Sequence, residues 1–374
     1  MNLYRILYVQ DNTLVQNFFR EKLELAGFGV QCAATIEEAV RRMQQFRPDL
    51  AVLDPLLADG DAVNAIEAIR AARGEEQFPI FVLPTRFRTL AEVIEQQPKV
   101  QLLSPVDNPA ADLLARAASA VETEIPDLNE ITAHPRPDAR WLRAALPAAH
   151  TDIMEMRRTL QSIVRNLDSP EYVRTLLQIV HSFSDRMALT GPNAVSQLSG
   201  PLEVLIYGLV ENPERLDQSA LRTLGQAIDL LGSLIEGDSP ARSADLTEAS
   251  VMIVEDEANA RELISAAMSL VGLHADGLDS PNASLAVLSA QACNLIFLDI
   301  NLPEMNGFDV CTQLRAMPLH EHTPIVFITG MSTFQNRVQS NLSGGNDFVG
   351  KPFNVAELGV KALIWVLKGK IGAR

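Results

Sequence analysis

The sequence has few aromatic, sulfur-bearing or basic residues. Aromatic residues make up 5% of its 374 positions, and Ala and Leu are plentiful in their place, which favours helices. Three cysteines, Cys32, Cys293 and Cys311, show no CxxC or His–Cys spacing. That excludes a disulfide framework and a thiolate metal site, and reads as reduced thiols in a cytoplasmic protein. No run of five basic residues occurs and the net charge is −16. Phosphate-backbone binding needs clustered Lys and Arg, so nucleic acid is not the expected partner. No stretch of eighteen apolar residues exists, and the opening MNLYRILYVQDN has no signal-peptide core. No membrane span is expected. What remains is 47% apolar, enough for real cores, in a length that suggests two or three domains.

The most informative stretch is NLIFLDINLPEMNGFDV, residues 294–310. Its apolar run Leu295–Leu298 ends at Asp299, as a buried parallel strand ending in a carboxylate would. Ligands in open α/β sheets bind at that end. Three further apolar runs end in chemistry: 251–254 in Glu255 and Asp256, 325–328 in Thr329, and Asp347–Gly350 in Lys351. Oxygen donors of this kind suit Mg²⁺. Lysine is a point-charge partner for phosphate.

Together these motifs resemble the receiver domain of two-component response regulators, over residues 250–370. The resemblance implies a flavodoxin-like (βα)5 fold and a role for each motif position. Asp299 is the implied phosphoacceptor. Asp256, Asp299 and the Asn301 carbonyl would hold Mg²⁺ directly, and Glu255 through a water. Lys351 would neutralise phosphate, while Thr329 and Phe348 would form the switch. Phosphoryl transfer of this sort is mostly positioning and charge neutralisation. The implied partner is a sensor histidine kinase or phosphotransfer protein.

The first 121 residues repeat the plan. Strand-like runs at 6–9, 50–53, 80–83 and 100–103 end at Gln10–Asp11, Asp54, Pro84 and Ser104. Asp11 and Asp54 are 43 positions apart, as are Asp256 and Asp299; Asp54 and Pro84 are 30 apart, as are Asp299 and Thr329. Equal spacing marks two copies of one fold. The first copy has Gln10 for an acid, Pro84 for the hydroxyl and Ser104 for the lysine, and its Gly60 comes two positions earlier than Gly307. Asp11 and Asp54 could still hold Mg²⁺ weakly. The expected role is a degenerate receiver used for contact, with a phosphorylatable Asp54 as the alternative.

Proline- and acid-rich segments predict linkers at 122–139 and 237–247. Between them, helical patterns over 151–167, 170–189, 193–211 and 215–236 are split by Asp168-Ser169-Pro170, Gly191-Pro192 and Asn212-Pro213. Four helices with short loops predict a bundle over 140–236. On its second helix Val173, Leu176, Leu177, Val180, Phe183 and Met187 form an apolar stripe. Arg174, Gln178, His181 and Asp185 lie opposite, which predicts a solvent-facing His181. HSFSDRMALTG, residues 181–191, resembles the histidine phosphotransfer signature, with Phe183 and Gly191 in place but Ser184 and Asp185 where Lys and Gly belong. His181 is thus either a phosphohistidine or a surface residue of a structural bundle. His134, His150, His274, His320 and His322 have no metal-ligand spacing.

The last domain, 248–374, closes on a helix, 354–370, with little polar face. Its apolar excess predicts a second contact, such as a homodimer interface. The whole reads as receiver, phosphotransfer-like bundle, receiver, in a cytoplasmic phosphorelay protein without a dedicated enzymatic output. The alternatives are the regulatory half of a diguanylate cyclase-type regulator and an unphosphorylated docking scaffold.

Overall fold

The computed structural model describes residues 4–74, 78–103, 109–123, 125, 139–189, 193–236, 246, 248–330 and 343–372. Ser104, Pro105, His134, Gly191 and most of the two expected linkers lie outside the described residues. The chain divides into two compact bodies. One is Met1–Asp152 with Arg174–Gly191; the other is Ile153–Val173 with Pro192–Arg374.

In the first body, β1 (Arg5–Val9), β2 (Gly29–Ala33) and β3 (Leu50–Leu53) are joined by α1 (Thr13–Leu25) and α2 (Ile36–Phe46). A two-residue pair, β4 (Leu56–Leu57) and β5 (Gly60–Asp61), precedes α3 (Ala62–Arg73). Then follow β6 (Ile80–Val82), α4 (Arg88–Glu95), β7 (Val100–Leu102) and α5 (Pro109–Ala120). Runs 6–9 and 50–53 are buried throughout, because helices cover both faces of a parallel sheet. Five of these strands pair in parallel in the order β2-β1-β3-β6-β7, the flavodoxin-like order. Asn12 accepts from the Leu14 and Val15 N–H groups to start α1, and Gly27 at φ 89° follows its end, a conformation that favours glycine. Phe18, Phe19 and Leu23 of α1 share one core with Tyr8, Val52 and Phe81 of the sheet and Leu113, Leu114 and Ala117 of α5. Leu189 packs against it too.

The early Gly60 has a structural counterpart. The chain after Asp54 turns through the antiparallel β4–β5 pair. A Cβ on Gly60 would stand 2.8 Å from Ile36 Cδ1, so the turn is drawn in against α2.

The second body repeats the sheet with β8 (Ser250–Val254), β9 (His274–Leu278), β10 (Leu295–Asp299), β11 (Ile325–Thr329) and β12 (Asp347–Gly350), in the parallel order β12-β11-β10-β8-β9. The fold is therefore α/β at both ends of the chain with helices between. Those helices are α6 (Ala139–Arg165), α7 (Pro170–Ala188), α8 (Ala194–Glu211) and α9 (Gln218–Glu236). Pro170 opens α7, where its missing N–H costs nothing. An Asn193–Ser196 capping box starts α8. Helix α6 starts at 139 rather than 151 and carries Pro147 inside it. The run 213–215 forms a separate 3₁₀ turn before α9. From Arg174 onward α7 belongs to the first body, whereas α8 and α9 belong to the second.

Helices α10 (Ala258–Leu270), α11 (Pro281–Leu288), α12 (Gly307–Arg315) and α13 (Val355–Gly372) complete the described elements. The apolar excess of the final helix, on which the expectation of a homodimer rested, meets other helices of the same chain. Helix α13 packs against α8, α9 and α10 of its own chain. Val360, Leu363, Ile364 and Leu367 are fully buried. Its apolar excess is accounted for by cover within the same chain.

Candidate functional site

The ends of β8, β10, β11 and β12 bring the second body's motif residues to one edge of the sheet. Glu255 is fully buried, Asp299 is 3% exposed and Thr329 is buried, while Asp256 and Asn301 face solvent. Lys351 Nζ lies 2.8 Å from Asp299 Oδ2 and 2.8 Å from Glu255 Oε1. The Asn301 N–H donates to Asp299 Oδ1 at 3.0 Å. Carboxylate oxygens of Glu255, Asp256 and Asp299 fall within 4.8 Å of one another. Gly307 makes the pocket's loop possible: a Cβ there would stand 2.1 Å from the Asp299 carbonyl oxygen.

The electrostatics follow from that packing. Burial, opposed by the Lys351 hydrogen bond, pushes the Glu255 carboxyl up to about 7. Burial works against the Lys351 charge, but hydrogen bonds to Asp299 and Glu255 outweigh it and hold the ammonium pKa above its usual value. The donor set is hard oxygen, part buried and part open to water. It fits Mg²⁺, which takes few carboxylates and keeps several waters.

Phe348, the expected switch aromatic, is 8% exposed. Sequence reasoning missed what covers it. The Arg222 guanidinium of α9 lies over its ring, 4.8 Å from the centroid, and 3.6 Å from Asp347. Beside it, Ser219 and Thr223 donate to Glu357 Oε1 at 2.6 and 3.0 Å. Asp347 also meets the buried Lys361 at 3.0 Å. A cleft of about 480 Å³ is lined by Arg215, Gln218, Phe348, Phe353 and Glu357 among others. A cationic residue at every third or fourth position of α9 was not there to give a signal; Arg222 is a single charge whose partner is set by the fold.

The first body builds a different pocket at the matching strand ends. The prediction that His181 faces solvent is corrected: it is 3% exposed, and its Nε2 lies 2.7 Å from Asp54 Oδ1 and 3.7 Å from Asp185 Oδ2. The face opposite the apolar stripe of α7 is turned to a polar pocket, which periodicity alone cannot separate from water. Gln10 Nε2 donates to Asp54 Oδ2 and to Asp185 Oδ2 at 3.2 Å. The Leu56 N–H also reaches Asp54 Oδ1, at 2.9 Å. Asn12 Nδ2 donates to the Ser182 carbonyl and hydroxyl at 2.8 and 3.0 Å. Gln178 Nε2 donates to the Ala58 carbonyl at 2.9 Å. Burial pushes the Asp54 and Asp11 carboxyls up to about 6, against the pull of His181 at Asp54 and with the Asp54 charge adding to it at Asp11. Pro84 lines a cavity of about 200 Å³ beside Asp54. His274 and His322 lie at the surface, and His320 is a buried hydrogen-bonded residue. None of these three is in a group of metal-ligating residues among the described residues.

Comparison with known proteins decides the second body. Residues 251–362 match the family model of the response regulator receiver domain. They form a receiver domain of two-component signalling. Over 111 residues the chain is 36% identical to response regulator protein TodT of Pseudomonas putida, covering 29% of this chain and 48% of that one. It is 33% identical over 111 residues to response regulator protein TmoT of Ectopseudomonas mendocina, covering 30% and 50%. The chain thus spans about half the length of the curated relatives it matches. Among solved structures, it resembles chemotaxis protein CheY4 of Vibrio cholerae (24% identity, 29% of this chain and 92% of that one, TM-score 0.29). A second is the receiver domain of sensor histidine kinase PA1611 from Pseudomonas aeruginosa, determined with magnesium in its active-site cleft (24% identity, 32% and 97%, TM-score 0.30). No described helix is long and apolar enough to cross a membrane.

Proposed function

We propose that this chain is a cytoplasmic two-component phosphorelay protein whose C-terminal receiver accepts a phosphoryl group on Asp299 and switches protein contacts, while the N-terminal receiver is degenerate. The observation that carries this reading is Lys351 held 2.8 Å from both Asp299 and Glu255 in a largely buried pocket. A buried nucleophile needs a cation beside it to accept a phosphoryl group's added charge. Asp299 would attack phosphorus, forming an oxygen–phosphorus bond as the bond to the donor breaks. The donor group, the imidazole of a kinase or phosphotransfer protein, leaves with the electron pair. Asp256, Asp299 and the Asn301 carbonyl would hold Mg²⁺, with Glu255 acting through water. The ion would supply charge neutralisation at the phosphoryl oxygens.

Readout would pass along β11 and β12. Thr329 would turn to the new phosphate, and Phe348 would follow into the space it leaves. Arg222 stacks on that ring, so its movement disturbs the seat of α9. This is a local charge event biasing a packed surface. Beryllofluoride with Mg²⁺ tests the reading. It is expected to saturate the wild-type protein and change its solution scattering, and to do neither in Asp299→Asn. An unchanged response in Asp299→Asn refutes the assignment.

A further inference from the structure

The two pockets solve one electrostatic problem with different residues. In the second body a lysine from the sheet's own β12 end meets the acceptor carboxylate at 2.8 Å. In the first body the matching position is Ser104, and a nitrogen from α7 meets the acceptor instead, His181 Nε2 at 2.7 Å. Where the second pocket has Glu255, an additional negative charge, the first has Gln10. Its amide donates to Asp54 and Asp185. Both Asp54 oxygens are therefore engaged by donors of the protein itself.

We propose that α7 is a built-in plug of the N-terminal acceptor pocket, in which His181 replaces the missing lysine and closes Asp54 to outside phosphodonors and to divalent cations. Three further bonds seat the helix around that contact. Asn12 holds Ser182 at 2.8 and 3.0 Å, and Gln178 holds the Ala58 carbonyl at 2.9 Å. Leu189, just past the end of α7, packs on the same core as Phe18 and Phe19. The contact is a hydrogen bond rather than a transfer geometry. In-line transfer places phosphorus between the donor and acceptor atoms, and 2.7 Å leaves no room for it. His181 in this arrangement is a positioning residue, and the domain it plugs is a fixed partner of α7. The inference stands on the first body alone and does not depend on phosphorylation of Asp299.

Carbethoxylation of the full chain by diethyl pyrocarbonate, read residue by residue by peptide mass spectrometry, tests it. His181 should react at least about tenfold more slowly than the exposed His274 and His322, since it is reached only through local opening. Asp54→Ala should bring its rate toward theirs. Asn12→Ala, a milder change at the rim, should raise the rate in the same direction and serves if Asp54→Ala fails to fold. Equal rates for His181 and His274 in the wild type overturn the plug. So does protection that persists in both variants, because the pocket would then not be what guards the imidazole. A second arm uses Mn²⁺ and electron paramagnetic resonance on Asp256→Asn/Asp299→Asn, which removes the other acidic pocket. No bound Mn²⁺ is expected. Mn²⁺ bound there and lost on adding His181→Ala would make Asp54, His181 and Asp185, whose ligand atoms lie within 4.8 Å of one another, a metal site and overturn the plug. Mn²⁺ bound with His181 unused would show the pocket open, and overturn it equally.

Discussion

Two acceptor pockets built on the same strand order differ in where the nitrogen that meets the carboxylate comes from. In the C-terminal receiver Lys351 reaches Asp299 from the end of β12, two strands along the same sheet, and Asp256 stays open to solvent. In the N-terminal body the partner is His181, 127 positions away in sequence. A pocket that keeps its own cation can leave its mouth open for a donor. One that borrows a partner from another helix is closed by that helix. Loss of a single lysine therefore changes what occupies the site, not only its strength.

The largest expected effect comes from making the second pocket resemble the first. Lys351→Ser should slow phosphorylation by a small-molecule phosphodonor by roughly 10²–10³-fold, the scale for removing one preorganised donor from a developing charge. Single-turnover labelling checks this. An effect below tenfold would mean that Lys351 does not set the difference between the pockets.

Gly307→Ala probes the loop that the two copies do not share. Its Cβ would lie 2.1 Å from a backbone oxygen, so the Asp299 loop must move. A loss of about 2–3 kcal/mol is expected from overpacking, read by urea unfolding of the C-terminal transition. Gly60→Ala, whose nearest atom is the end of a flexible Ile36 side chain, should cost less.

Acidity separates the pockets next. Burial pushes the Asp11 and Asp54 carboxyls up from an ordinary 3.8 to about 6, and that of Glu255 from 4.5 to about 7. Raised carboxyls bind more protons folded than unfolded. Their contribution is therefore full below the unfolded value and is lost as pH rises through the folded one. The N-terminal body should lose stability between about pH 4 and 6, roughly 1–3 kcal/mol per group from a shift near two units. The C-terminal receiver should go on losing it to about pH 7. Denaturation followed at each pH, with domain-specific probes, gives the two windows. Loss of stability with falling pH across them would reverse the sign and refute the burial argument.

The smallest effect concerns the link from Phe348 to α9. Arg222→Ala should cost about 0.5–1 kcal/mol of C-terminal stability, the size of an exposed to half-buried cation–π contact. It should also weaken the scattering change produced by beryllofluoride. An unchanged response would remove Arg222 from the readout.

The C-terminal pocket was legible because its chemistry is local to strand ends: Glu255, Asp256, Asp299, Thr329 and Lys351 each follow an apolar run, and the parallel sheet aligns those ends. Both sheets were legible for the same reason. His181 was not. Helical period places it opposite Val180 and Phe183, and says nothing of what that face meets. The nearest hint was Gln10, an amide donor where an acid belongs, together with Ser104 where the lysine belongs. Arg222 and the cover over α13 were equally hidden, since both depend on which helix packs where. Apolar excess at Val360–Leu367 required a partner surface without naming it.

The central claim is that one pocket accepts phosphate and the other is closed. Intact-mass and peptide mass spectrometry of the full chain after acetyl phosphate and Mg²⁺ tests it most directly. The account predicts one phosphoryl group, on Asp299, none on Asp54 or His181, and none at all in Asp299→Asn. Phosphate on Asp54 or His181 of the wild type, or undiminished incorporation in Asp299→Asn, would contradict it.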